Sequence, residues 1–305
     1  MRPVALVLLL PILSGCYIVT QAQGQLRMLL NSRNIDALLA DPEVSDKTKL
    51  KLLFVREVKD FGEHELGLAR SANYEAFYDT QGKPITYIVS ASLKERFQAH
   101  TWWFPIVGDV PYKGFFSRDD AVAEAKDLEK RGYDVALGAA AAYSTLGYFP
   151  DPVLSTMLGY PDEQLAALLL HELTHGTIYL PGGTDFNEGL ASFVGWQGAL
   201  EFARRKRGLH SVAYDRTVRA FAAEEKRDAA SLALFHKLDE LYKSNRPRAE
   251  ILSERERIAG SKVNNAEILM QRRYGRYDEF RARFEAAGGD WKGFFEGLVR
   301  DKGKV

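Results

Sequence analysis

Apolar residues recur at helical spacing from Gln25 onward: Leu26, Leu29 and Leu30, then Leu38 and Leu39 beyond Asn34. Asp41-Pro42 breaks that run. Asp46 can cap a second helix carrying Leu50, Leu53, Phe54 and Val58, which ends near Gly62. Strand character begins after Gly82-Lys83-Pro84. Residues 85–89, Thr101 to Val107 and Tyr112 to Phe116 are rich in β-branched and aromatic side chains. Ser117-Arg118-Asp119-Asp120 resembles a capping box, and it predicts a helix running to about Lys130 before Gly132. Tyr133 to Tyr143 reads as a further strand. Its small residues from Gly138 to Ala142 would admit a close backbone neighbour.

From Pro161 the pattern is helical almost to the end. Arg216 to Tyr242 and Pro247 to Lys262 are strongly charged, with apolar positions at Val218, Phe221, Leu232, Phe235, Leu238 and Leu241. They predict a long antiparallel hairpin, inserted at about 212–262, that turns near Ser244–Pro247. The fold class expected is α+β, mainly helical, with a small mixed or antiparallel sheet.

The first residues follow a different rule. Met1-Arg2 precedes an apolar run from Val4 to Leu13, too short to span a bilayer permanently but of the form of a signal-peptide core. Leu13-Ser14-Gly15-Cys16 then resembles the bacterial lipobox, in which cleavage leaves the cysteine as a lipid-bearing N-terminus. Cys16 is the one cysteine in the chain, so no intramolecular disulfide can form. These features predict a signal peptide over 1–15, a lipidated tether over 16–24 and a folded domain over 25–305. Several acyl chains on one residue would hold the protein stably at a membrane, each buried methylene contributing ~0.8 kcal/mol. Tyr17 stands where an aspartate often signals inner-membrane retention, which favours the outer membrane. Lys plus Arg number 41 and Asp plus Glu number 41, so no net field draws the chain to nucleic acid.

The chemistry centres on residues 161–180. Pro161 suits a first helical turn, and Asp162 and Glu163 complement its positive end. Leu168, Leu169, Leu170 and Leu173 make the helix apolar, and Pro181-Gly182-Gly183 ends it. His171 and His175, four apart, share one face and can hold one tetrahedral cation. Glu172 lies one step round the helix, oblique to the ligand plane yet able to reach a water at that cation. Two histidines and a glutamate in an apolar helix need partners, and a metal satisfies all three.

A metzincin would need glycine and histidine where this chain has Ile178 and Pro181, so that class is excluded. Thr184 or Asp185 can instead cap a second helix, which places Glu188 in its first turns. A helix–loop–helix hairpin can return Glu188 to the histidine pair; the alternative is a glutamate that complements the helix dipole.

HELTH followed by Asn187-Glu188-Gly-Leu-Ala resembles the gluzincin zinc peptidases, with their HExxH…NExxA pattern. More narrowly, the chain is similar to a bacterial family of predicted aminopeptidase lipoproteins. The likeness runs through Phe104 to Phe116, Phe149 to Met157, the HELTH segment and Asn264-Asn265-Ala266. It implies a zincin-like fold, zinc and peptide hydrolysis. It carries the ligand roles to His171, His175 and Glu188, and the base role to Glu172. The chain departs from thermolysin-like members in its shorter gap between His175 and Glu188. It also has Ser192 where they place an acid.

The expectation is a zinc peptidase, an aminopeptidase by resemblance, acting on peptides at the periplasmic side of the envelope. A competing class is a lipoprotein that hydrolyses another amide, or that binds a protein partner through the hairpin without catalysis. An oxyanion needs a donor besides the metal, and Tyr148, Tyr160, Tyr179 and His210 are the candidates. The Tyr133–Tyr143 strand, if at an edge, could pair with an extended peptide.

Overall fold

A computed structural model describes residues 12–104, 108–140, 142 and 150–301. The described residues begin with α1 (Ile12–Asn31), β1 (Arg33–Asn34), α2 (Ile35–Ala40) and α3 (Asp46–Phe61), and α3 continues into a π-helical turn over Gly62–Leu66. Next come β2 (Ala76–Tyr78), β3 (Tyr87–Leu93), β4 (Trp102–Phe104), β5 (Gly108–Val110), β6 (Lys113–Phe115), α4 (Arg118–Lys130) and β7 (Tyr133–Ala139). After β8 (Val153–Leu154) the elements are α5 (Asp162–Thr177), α6 (Thr184–Arg207), α7 (Val212–Tyr242), α8 (Arg248–Ala259), α9 (Asn265–Tyr274), α10 (Tyr277–Ala286) and α11 (Trp291–Asp301). The architecture is α+β and mainly helical.

Three small sheets accompany the helices among the described residues. β6, β3 and β7 form an antiparallel sheet with β3 in the middle, β1–β2–β8 is mixed, and β4 pairs with β5. α4 covers the first sheet, and Val89, Ala91, Phe115, Ala121, Ala125 and Leu128 make a separate core there. The main core lies among α3, α5, α6 and the C-terminal helices, with Leu169, Leu170, Phe193 and Phe280 fully enclosed.

Several expectations shift. Residues 17–24, within the stretch expected as a tether over 16–24, are helical and belong to α1. Gly24 sits against Phe116, where a Cβ would collide with the ring, and Gln21 Nε2 donates to the Gly114 carbonyl at 3.3 Å. Ser45, not Asp46, caps α3, its Oγ accepting from the Thr48 N–H at 3.2 Å. The strand expected over 85–89 is β3, displaced to 87–93, where buried Ser90 and Ser92 pass through the sheet centre. Gly138 admits no close neighbour: it pairs with Ile88 in an ordinary ladder, and a Cβ there would meet nothing within 4 Å. Ser117 caps α4 as expected. Of the strand expected over 101–107, the last three residues lie outside the described ones. The charged helices α7 and α8 turn on one another between Lys243 and Pro247. Among the described residues, no helix is long and apolar enough to cross a membrane.

Candidate metal centre

α5 and α6 carry the site, and small residues let them approach. A Cβ on Gly195 would lie 2.5 Å from the Ala167 carbonyl oxygen and 3.2 Å from His171 Cβ. A Cβ on Gly198 would press on Leu66 and Leu170 at 2.8 and 2.9 Å. Glu188, Ser192, Gly195 and Ala199 recur at helical spacing, so one stripe of α6 faces α5. The connecting turn is fixed by Asn187. Its side chain accepts from the Leu180 N–H at 2.8 Å and donates to the Leu180 carbonyl at 2.8 Å. No side chain caps α6: Gly183 holds the cap position, Thr184 is already helical, and Asp185 faces Arg273 instead.

Three ligand atoms converge as a result. His171 Nε2 and His175 Nε2 are 3.2 Å apart, and Glu188 Oε2 lies 3.2 Å from the first and 3.5 Å from the second. Ligands at ~2.0–2.1 Å from a tetrahedral zinc stand about 3.3–3.4 Å from one another. The triangle therefore has the size of one face of that tetrahedron, and the group could hold a metal ion. His175 and Glu188 are buried, while His171 and Glu172 are half-buried.

The electrostatics suit a cation. Burial pushes the Glu188 carboxyl up, but the hydrogen bonds from His171 and His175 outweigh it and hold the group well below the carboxylate range. Burial pushes the His175 imidazole down, yet Glu188 and the Glu172 charge leave it raised above its ordinary value. Ser192 Oγ lies 3.5 Å from His171 Nδ1. A proton on Nδ1 directed at that hydroxyl leaves the Nε2 lone pair for a metal. His175 Nδ1 is buried with no hydrogen-bond partner among the described residues.

Glu172 occupies the position expected, next to His171, and its charge reaches His175, Tyr74, Tyr112 and Tyr274. The four donor candidates separate. Tyr148 lies outside the described residues. Tyr160 precedes α5, about 16 Å along the axis from His171, and its carbonyl accepts from Lys51 Nζ at 2.7 Å. His210 is exposed beyond the far end of α6, about 28 Å along that helix from Glu188. Neither reaches the triangle of His171, His175 and Glu188. Tyr179 neighbours Tyr112, and Tyr112 feels Glu188 and Glu172.

Four further residues surround the cluster. The Tyr274 ring lies 6.0 Å from the His171 ring, with 30° between planes. The Arg273 guanidinium stands 5.7 Å over the Tyr112 ring, and its Nε donates to Asp185 Oδ1 at 3.0 Å. Tyr74, fully enclosed and at φ +62°, donates its N–H to the Asp151 carbonyl at 2.7 Å. Burial, and then the Glu172 and Asp151 charges, raise its phenol. Burial likewise raises Tyr112 and Tyr274, and Glu188 adds to both. Tyr112 stands in the Pro111-Tyr112-Lys113-Gly114 run on which the family resemblance rests, which was its one signal in the sequence. Arg273 and Tyr274 follow Gln271-Arg272 with no motif around them.

No curated protein and no solved structure matches the chain. The family model described as "Putative aminopeptidase" matches residues 16–262, the larger part of the chain, which takes in α5, α6 and the whole ligand triangle. With that match over the helices that build the site, the chain belongs to the putative aminopeptidase family.

Proposed function

We propose that the protein is a zinc-dependent aminopeptidase, with His171, His175 and Glu188 holding the metal and Glu172 acting as general base. The observation that carries the reading is the triangle of ligand atoms at 3.2, 3.2 and 3.5 Å, with Glu172 beside it on α5. A zinc ion at such a site supplies Lewis acidity, lowering the pKa of a water and polarising a carbonyl. Glu172 takes the proton of the attacking water and passes it to the leaving amine. Ser192 keeps His171 turned toward the cation, and Gly195 lets α6 bring Glu188 within reach.

The β7 edge supports a peptide substrate. The Ala140 N–H donates to the Thr86 carbonyl, so Gly138 and Ala136 point their main-chain groups at β3 and their neighbours point theirs outward. The outward Val135 carbonyl accepts from Asn264 Nδ2 at 2.8 Å. Among the described residues, Leu137 and Ala139, both exposed, offer their N–H and C=O groups to an extended chain. The lipobox further supports anchoring of the chain through Cys16, with the site in the periplasm.

The test is hydrolysis of an unblocked peptide library by purified protein, with and without chelator, beside the same library acetylated at its amino termini. The reading predicts chelator-sensitive release of N-terminal residues and loss of cleavage on acetylation. Cleavage that ignores acetylation would leave a metallopeptidase of another specificity, and cleavage that ignores the chelator would remove the metal.

A further inference from the structure

We propose that Tyr274 donates the hydrogen bond that stabilises the oxygen of the scissile carbonyl as it gains negative charge, an inference that rests on the peptidase reading above. Tyr274 lies beyond the residues matched by the family model. Its ring centroid lies 6.0 Å from that of the His171 ring, with 30° between the planes, so the side chain stands beside one corner of the ligand triangle. The residue as a whole keeps 37 % of its surface exposed, while its hydroxyl is desolvated beside the Glu188 and Glu172 charges.

The surroundings fix it there. Tyr274 is the last residue of α9. Arg272 is paired with Asp228 of α7, and Arg273 with Asp185 in the first turn of α6. Gly275 follows at a point where any Cβ would collide with the Asp228 carboxylate, and Arg276 adopts φ +101°, so the chain turns away at once. At its other end α9 is tied down by Asn265, whose Nδ2 donates to the Leu93 carbonyl at 2.8 Å. A donor held on a clamped helix end needs little reorganisation as charge develops, which is what makes such a donor effective. Tyr112 is the neighbouring phenol, with the Arg273 guanidinium 5.7 Å over its ring face. No covalent bond to Tyr274 forms or breaks: the hydroxyl keeps its proton and only hydrogen-bonds to the oxygen, while Glu172 handles the proton of the water.

The test compares wild type, Tyr274→Phe and Tyr112→Phe, each assayed for zinc stoichiometry, for kcat and KM on an unblocked dipeptide, and for calorimetric affinity toward a phosphinic pseudodipeptide, whose tetrahedral anion mimics the charged oxygen. Tyr274→Phe should retain one zinc and a nearly unchanged KM. It should lose about 10²-fold in kcat and a similar factor in phosphinic affinity, with a much smaller change for Tyr112→Phe. An active wild type alongside unchanged kcat and phosphinic affinity in Tyr274→Phe would overturn this role alone. So would a loss confined to Tyr112→Phe. A wild type with neither chelator-sensitive cleavage nor phosphinic binding would overturn the peptidase reading with it.

Discussion

Ser192 Oγ stands 3.5 Å from His171 Nδ1, one helical turn beyond Glu188 on the stripe of α6 that faces α5. A neutral hydroxyl thus occupies the place from which an imidazole ligand is oriented, where an acid would bind the ring more strongly. Removing it should loosen His171 without unfolding the helix. Ser192→Ala is expected to weaken zinc binding by about 10-fold, the low end for partners of this kind. Ser192→Asp should restore the affinity or exceed it. Competition against a chromophoric chelator measures both, and equal affinity in all three proteins would deny Ser192 the role.

Asn187 closes the turn that delivers Glu188, through two hydrogen bonds with Leu180. Asn187→Ala strands the Leu180 N–H and C=O and should cost about 1–3 kcal/mol. It should also lower zinc affinity, because Glu188 is the next residue. Urea unfolding of the metal-free and zinc-loaded proteins separates the two effects. An equal loss of stability in both would mean that the turn does not act on the metal.

Gly195 makes a related prediction at the helix contact. Gly195→Ala drives a methyl group against the Ala167 carbonyl and His171 Cβ, and overpacking of this kind costs about 1–3 kcal/mol. The two helices must part at the turn that carries the ligands. A reduced Tm accompanied by substoichiometric zinc is expected, whereas full zinc content would show that the close approach is dispensable.

The pH dependence follows from His175. A metal takes the neutral imidazole, and the His175 pKa is raised from 6.5 in the metal-free protein. At pH values below that raised pKa, zinc must displace a proton. Zinc affinity should therefore fall as pH falls, starting above 6.5. Chelator competition from pH 8 down to pH 6 reads this directly, and a flat profile over the range would contradict it.

The features visible in the sequence are the local ones. His171, Glu172 and His175 are fixed by spacing on one helix, and the cap at Ser117 follows from the identity of a single residue. Glu188 was legible as a first-turn acid, but its approach to the histidines depends on Asn187 and Gly195, which act through the loop and the facing helix. Ser192 read as a departure from the family pattern, and yet it contacts His171. Arg273 and Tyr274 come from α9, about a hundred residues further along the chain, and periodicity carries no sign of such a contact. The short strands β1, β2 and β8 owe their existence to pairing across the chain rather than to composition. The helix over 17–24 was hidden because Gly24 has the look of a linker, whereas it is glycine because Phe116 lies against it.

In the proposed reaction Glu172 moves the proton at a zinc held by His171, His175 and Glu188. Glu172→Gln keeps the shape of the side chain and removes its basicity. Elemental analysis of the purified variant, paired with its rate on an unblocked dipeptide, tests the claim most directly. One zinc per chain is expected in both proteins, with a rate lowered by about 10²–10⁴-fold in the variant. Retained zinc with undiminished hydrolysis would contradict it.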